Sequence, residues 1–117
     1  PGPRNSLGTV KIHFPNPHAV YLHDTPSKSL FGRNVRANLS GCVRVEHVHD
    51  LSTWILKEQG WDRKRVDELV ASGARKDVRL KKTVPVYMLY LTAWVDEHGV
   101  VNFRDDIYGR DGRHASL

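Results

Sequence analysis

The sequence holds one cysteine, Cys42, so neither an intramolecular disulfide nor a thiolate zinc cluster can organise the chain. No stretch approaches the roughly 20 consecutive apolar residues that a membrane-spanning helix requires, and no basic-then-apolar secretory leader opens it. The expectation is a soluble chain, or one whose targeting segment has been removed. Internal repeats and low-complexity tracts are absent as well. Acidic residues are in deficit, 13 Asp and Glu against 18 Lys and Arg, which leaves a formal charge of +5. That surplus suits an anionic partner: nucleic acid, an acidic lipid surface or a carboxylate-rich polymer. The sign alone does not choose among them. Three Trp, four Tyr and three Phe in 117 residues supply one small core, and the length argues for a single domain.

Residues 1–8 are rich in turn formers and read as an extended lead-in without a packing signal. Thr9 to Phe14 alternates, with Val10, Ile12 and Phe14 on one side and Lys11 and His13 on the other, as in a half-buried strand. Pro15-Asn16-Pro17 forces a turn, and Ala19 to Leu22 resumes as a second β-run ending at His23. The two predict a hairpin. Asp24 to Asn38 has no period and carries Lys28, Arg33 and Arg36, which predicts a long basic loop. Val43 to Val45 reads as a brief strand. A helix is expected over about Glu46 to Glu58, where Val48, Leu51 and Ile55 share a face and Gly60 marks the stop. Asp62 is a suitable N-cap for a second helix, with Val66, Leu69 and Val70 inward and Gly73 at its end. After the basic stretch Arg75, Lys76, Arg79, Lys81 and Lys82 comes the most apolar run, Val84 to Val95. It predicts a buried strand that pairs across Asp96–Gly99 with Val100 to Phe103. Arg104 to Leu117 reads as a loose tail.

Chemistry concentrates at Ser40-Gly41-Cys42-Val43-Arg44, between an irregular loop and a helix start, with His23 upstream at a strand end. A thiol becomes a useful nucleophile when a neighbouring base or positive potential makes it a thiolate, and an imidazole is the usual supplier. Cys42 and His23 form a candidate pair of this kind. Gly41 allows close backbone approach, and the amides around Gly41 and Cys42 are candidates for an oxyanion hole. From composition alone an inert buried cysteine beside an unrelated histidine is the commoner arrangement, about two in three.

The run from Phe14 through His23-Asp24-Thr25-Pro26, then Leu30-Phe31, then Ser40 to Arg44, resembles the catalytic core of the L,D-transpeptidases of bacterial cell-wall synthesis. The likeness is nearest to the larger periplasmic members that also carry a peptidoglycan-binding module. It continues through Pro85-Val86-Tyr87, Thr92-Ala93-Trp94 and Phe103-Arg104 to Asp106-Ile107-Tyr108-Gly109. A histidine about twenty positions ahead of a Gly-Cys-hydrophobic-Arg run is a specific signature. The resemblance implies Cys42 as nucleophile, His23 as base, the backbone carbonyl of Asp24 as the group orienting the imidazole, and Gly41 as part of the oxyanion hole. It places Arg44 and Ser40 at the substrate, Arg44 either holding a substrate carboxylate or bracing the loop. Two departures stand out: Leu39 occupies a position where the family commonly has Ser or Thr, and Ser40 one where it often has His.

The activity implied is formation of cross-links between third-position residues of peptidoglycan stem peptides through a Cys42 thioester. Carbapenem-type β-lactams are implied as covalent inhibitors, the cell envelope or periplasm as location, and no cofactor, metal or nucleic acid. Water as acceptor gives an L,D-carboxypeptidase instead. Family members place several strands ahead of the segment matching Pro1, so the chain is expected to be a C-terminal portion of the catalytic domain. The expected fold is α+β and β-rich, with the helical pair covering a sheet edge or end. A rival reading is a non-catalytic basic module that binds peptidoglycan or nucleic acid with Cys42 a bystander. His47 and His49 are two apart and would not face each other on a helix, so no metal pair is expected. Trp54, Trp61 and Trp94 are expected to pack in or near the core.

Overall fold

Pro15 and Pro17 deny the backbone two donors, and the reversal around them is organised by a side chain, Asn16. Its Oδ1 accepts from the amides of His18 and Val20, each at 3.1 Å, and its Nδ2 donates to the carbonyls of Phe14 (3.0 Å) and Val20 (2.7 Å). The computed structural model describes residues 2–36 and 41–113. The chain divides into two compact units, Pro1–Val84 and Pro85–Leu117.

In the first unit the reversal sets β1 (Lys11–Ile12) antiparallel to β2 (Leu22–His23), with Lys11 opposite His23 and Ile12 opposite Leu22. β3 (Val43–Arg44) joins parallel to β2, giving the order β1-β2-β3. The hairpin follows the sequence expectation, but its strands are shorter than the alternation over Thr9 to Phe14 and Ala19 to Leu22 predicts. Competition for backbone groups explains this. Asn16 takes the carbonyls of Phe14 and Val20, and the Thr9 amide donates to the Asp24 carboxylate at 2.9 Å instead of to a strand. The lead-in is also more structured than expected. Gly2, Asn5 and Gly8 close successive turns, and Gly8 is buried at φ +60° against Asp24, where a side chain would collide.

The helical pair is α1 (Val48–Leu56), continued by a 3-10 turn over Lys57–Gln59, and α2 (Arg63–Ser72). α1 starts two residues later than its apolar period suggests, because His47 sits in the left-handed region at φ 52°. Asp62 caps α2 as expected, its carboxylate accepting from the Arg65 amide at 2.8 Å. Among the described residues Val48, Trp61 and Val66 are the buried hydrophobic ones, and the Ser52 hydroxyl, also buried, is satisfied by donating to the Val48 carbonyl at 2.7 Å. Trp61 lies beneath two cations, Arg65 at 3.9 Å and Lys76 at 5.2 Å from its ring. Trp54 corrects its expectation: it is 63% exposed on the outer face of α1.

The second unit is built on β4 (Ala93–Val95) and β5 (Val101–Phe103), antiparallel, with Trp94 opposite Asn102. Asp96 closes the turn by accepting from the amides of His98 (2.9 Å) and Val100 (3.0 Å). The long buried strand expected over Val84 to Val95 reduces to these last three residues; Val84, Val86, Tyr87, Met88, Leu89 and Leu91 are exposed. β-Propensity favours an extended backbone but does not create a partner for it. Residues 104–113 are less loose than a tail, since Asp106 binds the Tyr90 hydroxyl and accepts from the amides of Arg110 (3.0 Å) and Asp111 (2.8 Å).

The fold is therefore mixed α+β. The β-rich balance expected from the sequence is not reached among the described residues, where five strands of two or three residues stand beside helices of nine and ten. No helix among them is long and apolar enough to cross a membrane.

Candidate active site

β2 and β3 pair in parallel with Leu22 opposite Val43 and His23 opposite Arg44, and the Val43 amide donates to the Tyr21 carbonyl at 3.1 Å. Continuing that register sets Tyr21 level with Cys42. Because side chains alternate across a strand, Tyr21, His23, Cys42 and Arg44 share one face. Contacts agree with this placement: the Tyr21 ring is 5.9 Å from the His23 ring, 5.7 Å from the His13 ring and 3.8 Å from Lys11 Nζ. With strands about 4.8 Å apart and residues two along a strand separated by roughly 6.6 Å, the Cα atoms of His23 and Cys42 are on the order of 8 Å apart. An imidazole and a thiol converging across that diagonal can meet.

His23 is 6% exposed, and its Nδ1 lies 2.5 Å from the carbonyl oxygen of Asp24. A carbonyl only accepts, so Nδ1 carries the proton and Nε2 presents its lone pair. The group at the imidazole is the main chain. The Asp24 carboxylate is occupied elsewhere, accepting from the Thr9 amide (2.9 Å), the Thr9 hydroxyl (2.8 Å) and Lys28 Nζ. Burial alone would push its pKa up, but these donors and the Thr25 amide outweigh burial and hold it down at about 2. Lys28, read from the sequence as one cation of the basic loop, is committed to a buried carboxylate.

Cys42 is half-buried. The Tyr21 phenol has its pKa raised, first by hydrogen bonding to the Cys42 thiol, then by burial and by the charge a thiolate would carry. Gly41, exposed, has φ +112°, a conformation that side-chain-bearing residues rarely adopt, although nothing lies within 4 Å of where a Cβ would stand. The glycine is needed for backbone direction rather than for room. Arg44 is half-buried, and its Nε is buried with no hydrogen-bond partner among the described residues. Ser40 and Leu39 lie outside the described residues.

Sequence reasoning passed over Tyr21, Thr9 and His49. Tyr21 was detectable as the residue two before His23 on the same strand face; the other two are reached only through tertiary contact. His47 and His49 do diverge: His47 faces Glu46 at 3.7 Å, whereas His49 Nε2 lies 2.8 Å from the Thr9 hydroxyl. In the basic stretch Arg75 pairs with Asp77 at 3.7 Å and Lys82 with Glu58 at 3.8 Å. Gln59 clamps that stretch, donating to the Arg79 carbonyl and accepting from the Lys81 amide, both at 3.1 Å.

Residues 1–88 match the L,D-transpeptidase catalytic domain, YkuD. The chain belongs to this L,D-transpeptidase family. A Haemophilus influenzae protein named "Putative L,D-transpeptidase" is 42% identical over 107 residues, 92% of this chain. The chain spans 22% of that relative's length. Within the L,D-transpeptidase match lie all three strands of the first sheet, both helices, and Tyr21, His23, Asp24, Gly41, Cys42 and Arg44; the β4–β5 hairpin lies beyond it.

Proposed function

We propose that this L,D-transpeptidase domain uses Cys42 as a nucleophile on peptidoglycan stem peptides. The reading is carried by His23: its Nδ1 proton is committed to the Asp24 carbonyl, which leaves Nε2 as a base on the sheet face that also holds the sulfur. In the first half-reaction His23 Nε2 takes the thiol proton and the sulfur attacks the carbonyl joining the third, diamino-acid residue of a tetrapeptide to its terminal D-Ala. Amides at Gly41 and Cys42 receive the oxyanion. The intermediate collapses as the C–N bond breaks, His23 returns its proton to the departing D-Ala amine, and a thioester remains on Cys42.

In the second half-reaction an amine from a neighbouring stem attacks the thioester with His23 as base. The thiol is regenerated, and an amide links two third-position residues. Arg44, a cation with an unmatched donor beside the cysteine, is suited to a substrate carboxylate. Its register position level with His23 supports that reading. The proposed substrate and the family together support a location in the cell envelope, on the periplasmic side.

The test is mass spectrometry of the chain after incubation with a carbapenem-type β-lactam, whose strained carbonyl reports a competent nucleophile. The expected result is a covalent adduct on Cys42 in the wild type and none in Cys42→Ala. An adduct that survives the substitution, or none in the wild type under conditions where the chain is folded, overturns the proposal. Product analysis with a tetrapeptide and an amine acceptor separates transfer from hydrolysis.

A further inference from the structure

The Asp24 segment that holds the histidine base is linked to His49 on α1. Asp24 is 4% exposed and Thr25 2%, so the carbonyl that holds His23 Nδ1 sits in the best-buried segment of the first unit. Its position depends on where the Asp24 side chain is held. The Thr9 hydroxyl is 2.8 Å from Asp24 Oδ2 and 2.8 Å from His49 Nε2. One hydroxyl has one proton. The ionised carboxylate can only accept, so that proton goes to Asp24; the Thr9 oxygen then accepts, and His49 Nε2 must donate.

The bonds therefore run in one direction, from His49 Nε2–H to Thr9 Oγ1–H to Asp24 Oδ2. Asp24 Oδ2 is further fixed by the Thr9 amide at 2.9 Å. Aligned hydrogen bonds polarise one another and stiffen the groups they connect. The contacts join residues 40 and 15 positions apart in sequence, from α1 through the segment before β1 to the end of β2. Charged groups surround the path: Asp67 Oδ1 on α2 faces His49 Nδ1 at 3.8 Å, Arg63 pairs with Asp67 at 2.9 Å and with Asp50, and Lys28 pairs with Asp24.

We infer that Thr9 and His49 are positioning residues for the His23 base, holding Asp24 so that its carbonyl keeps the imidazole in the Nδ1–H form aimed at Cys42. The inference rests on the proposed Cys42–His23 chemistry and adds a long-range support to it. Neither residue touches the sulfur, so their effect passes through His23 alone.

The experiment measures the rate of Cys42 alkylation by iodoacetamide in the full chain from mildly acidic to alkaline pH, with the melting temperature of each variant recorded beside it. Thr9→Val and His49→Leu remove the hydroxyl and the ring donor; Thr9→Ser and His49→Gln keep a group able to play the same part. The expected result is that Thr9→Val and His49→Leu slow alkylation near neutral pH roughly fivefold, the worth of one hydrogen bond, and move the pH–rate profile toward that of His23→Ala. Thr9→Ser and His49→Gln should stay within about twofold of wild type.

A merely structural role would lower the melting temperature and leave the profile of the folded protein unchanged, and that outcome overturns the inference. His49 is part-exposed on α1, so its variants decide the matter if Thr9→Val fails to fold. If His23→Ala itself leaves Cys42 reactivity untouched, the cysteine–histidine reading falls. If His23→Ala slows alkylation while Thr9→Val and His49→Leu do not, the positioning role falls and the base remains.

Discussion

Asp24 is the residue through which local electrostatics reach stability. Its pKa is about 2 in the folded chain against an ordinary 3.8, so the folded form binds fewer protons than the unfolded form as the medium is acidified. The stabilisation is complete above the ordinary value and disappears as pH falls through about 2. Nearly two pKa units correspond to about 2 kcal/mol. Asp24→Asn should therefore lower the free energy of unfolding by about 2 kcal/mol at neutral pH, with the gap to wild type closing between about pH 4 and pH 2. Urea titrations across that range check it, and a gap independent of pH would show that the carboxylate's charge is not its source. This role was not legible in the sequence. Asp24 stands beside His23 in a motif that draws the eye to the imidazole, and two of the groups that hold its carboxylate, the amide and hydroxyl of Thr9, come from 15 positions away in the chain.

Among the elements, those fixed by short-range interactions were read closely. The α1–α2 pair follows from an apolar period, a capping aspartate and two glycine stops, all of which act within a few residues. The strands were overread because a strand is completed by a distant partner, and side chains such as Asn16 and Asp24 compete for the same backbone groups. Trp54 and Trp61 show the same limit from the packing side. Both are large and apolar, yet Trp61 is buried beneath two cations while Trp54 stays in solvent. The candidate site residues were named from the family signature and Tyr21 stands two places before His23 in the chain, whereas Thr9 and His49 came into view only through tertiary contacts. The capping bond itself gives a direct prediction. Asp62→Ala leaves the Arg65 amide without its acceptor at 2.8 Å and should cost about 1 kcal/mol, lowering the melting temperature by roughly 4–8 °C. Asp62→Ser should recover most of the loss in a thermal melt followed by circular dichroism. A melting temperature unchanged by Asp62→Ala would mean the cap contributes nothing.

At the scale of the whole molecule two surface properties act in opposite directions on association. The formal charge of +5 makes copies of the chain repel one another and attracts carboxylate-bearing polymers; both effects weaken as salt shortens the Debye length. The run through Tyr87, Met88, Leu89 and Leu91 presents apolar side chains to solvent, with Tyr87 81% and Leu89 79% exposed. Contiguous apolar exposure favours self-association, and salt does not weaken that attraction. Self-association measured by sedimentation velocity should therefore increase with sodium chloride, while cosedimentation with peptidoglycan decreases. Leu89→Ser combined with Tyr87→Ser should reduce the first without changing the second, since neither residue carries charge and both lie outside the β1-β2-β3 sheet beside which Cys42 stands. The opposed slopes make the assignment testable with one salt series. If added salt weakens self-association as well, the contact between copies is electrostatic, and the apolar run is not its cause.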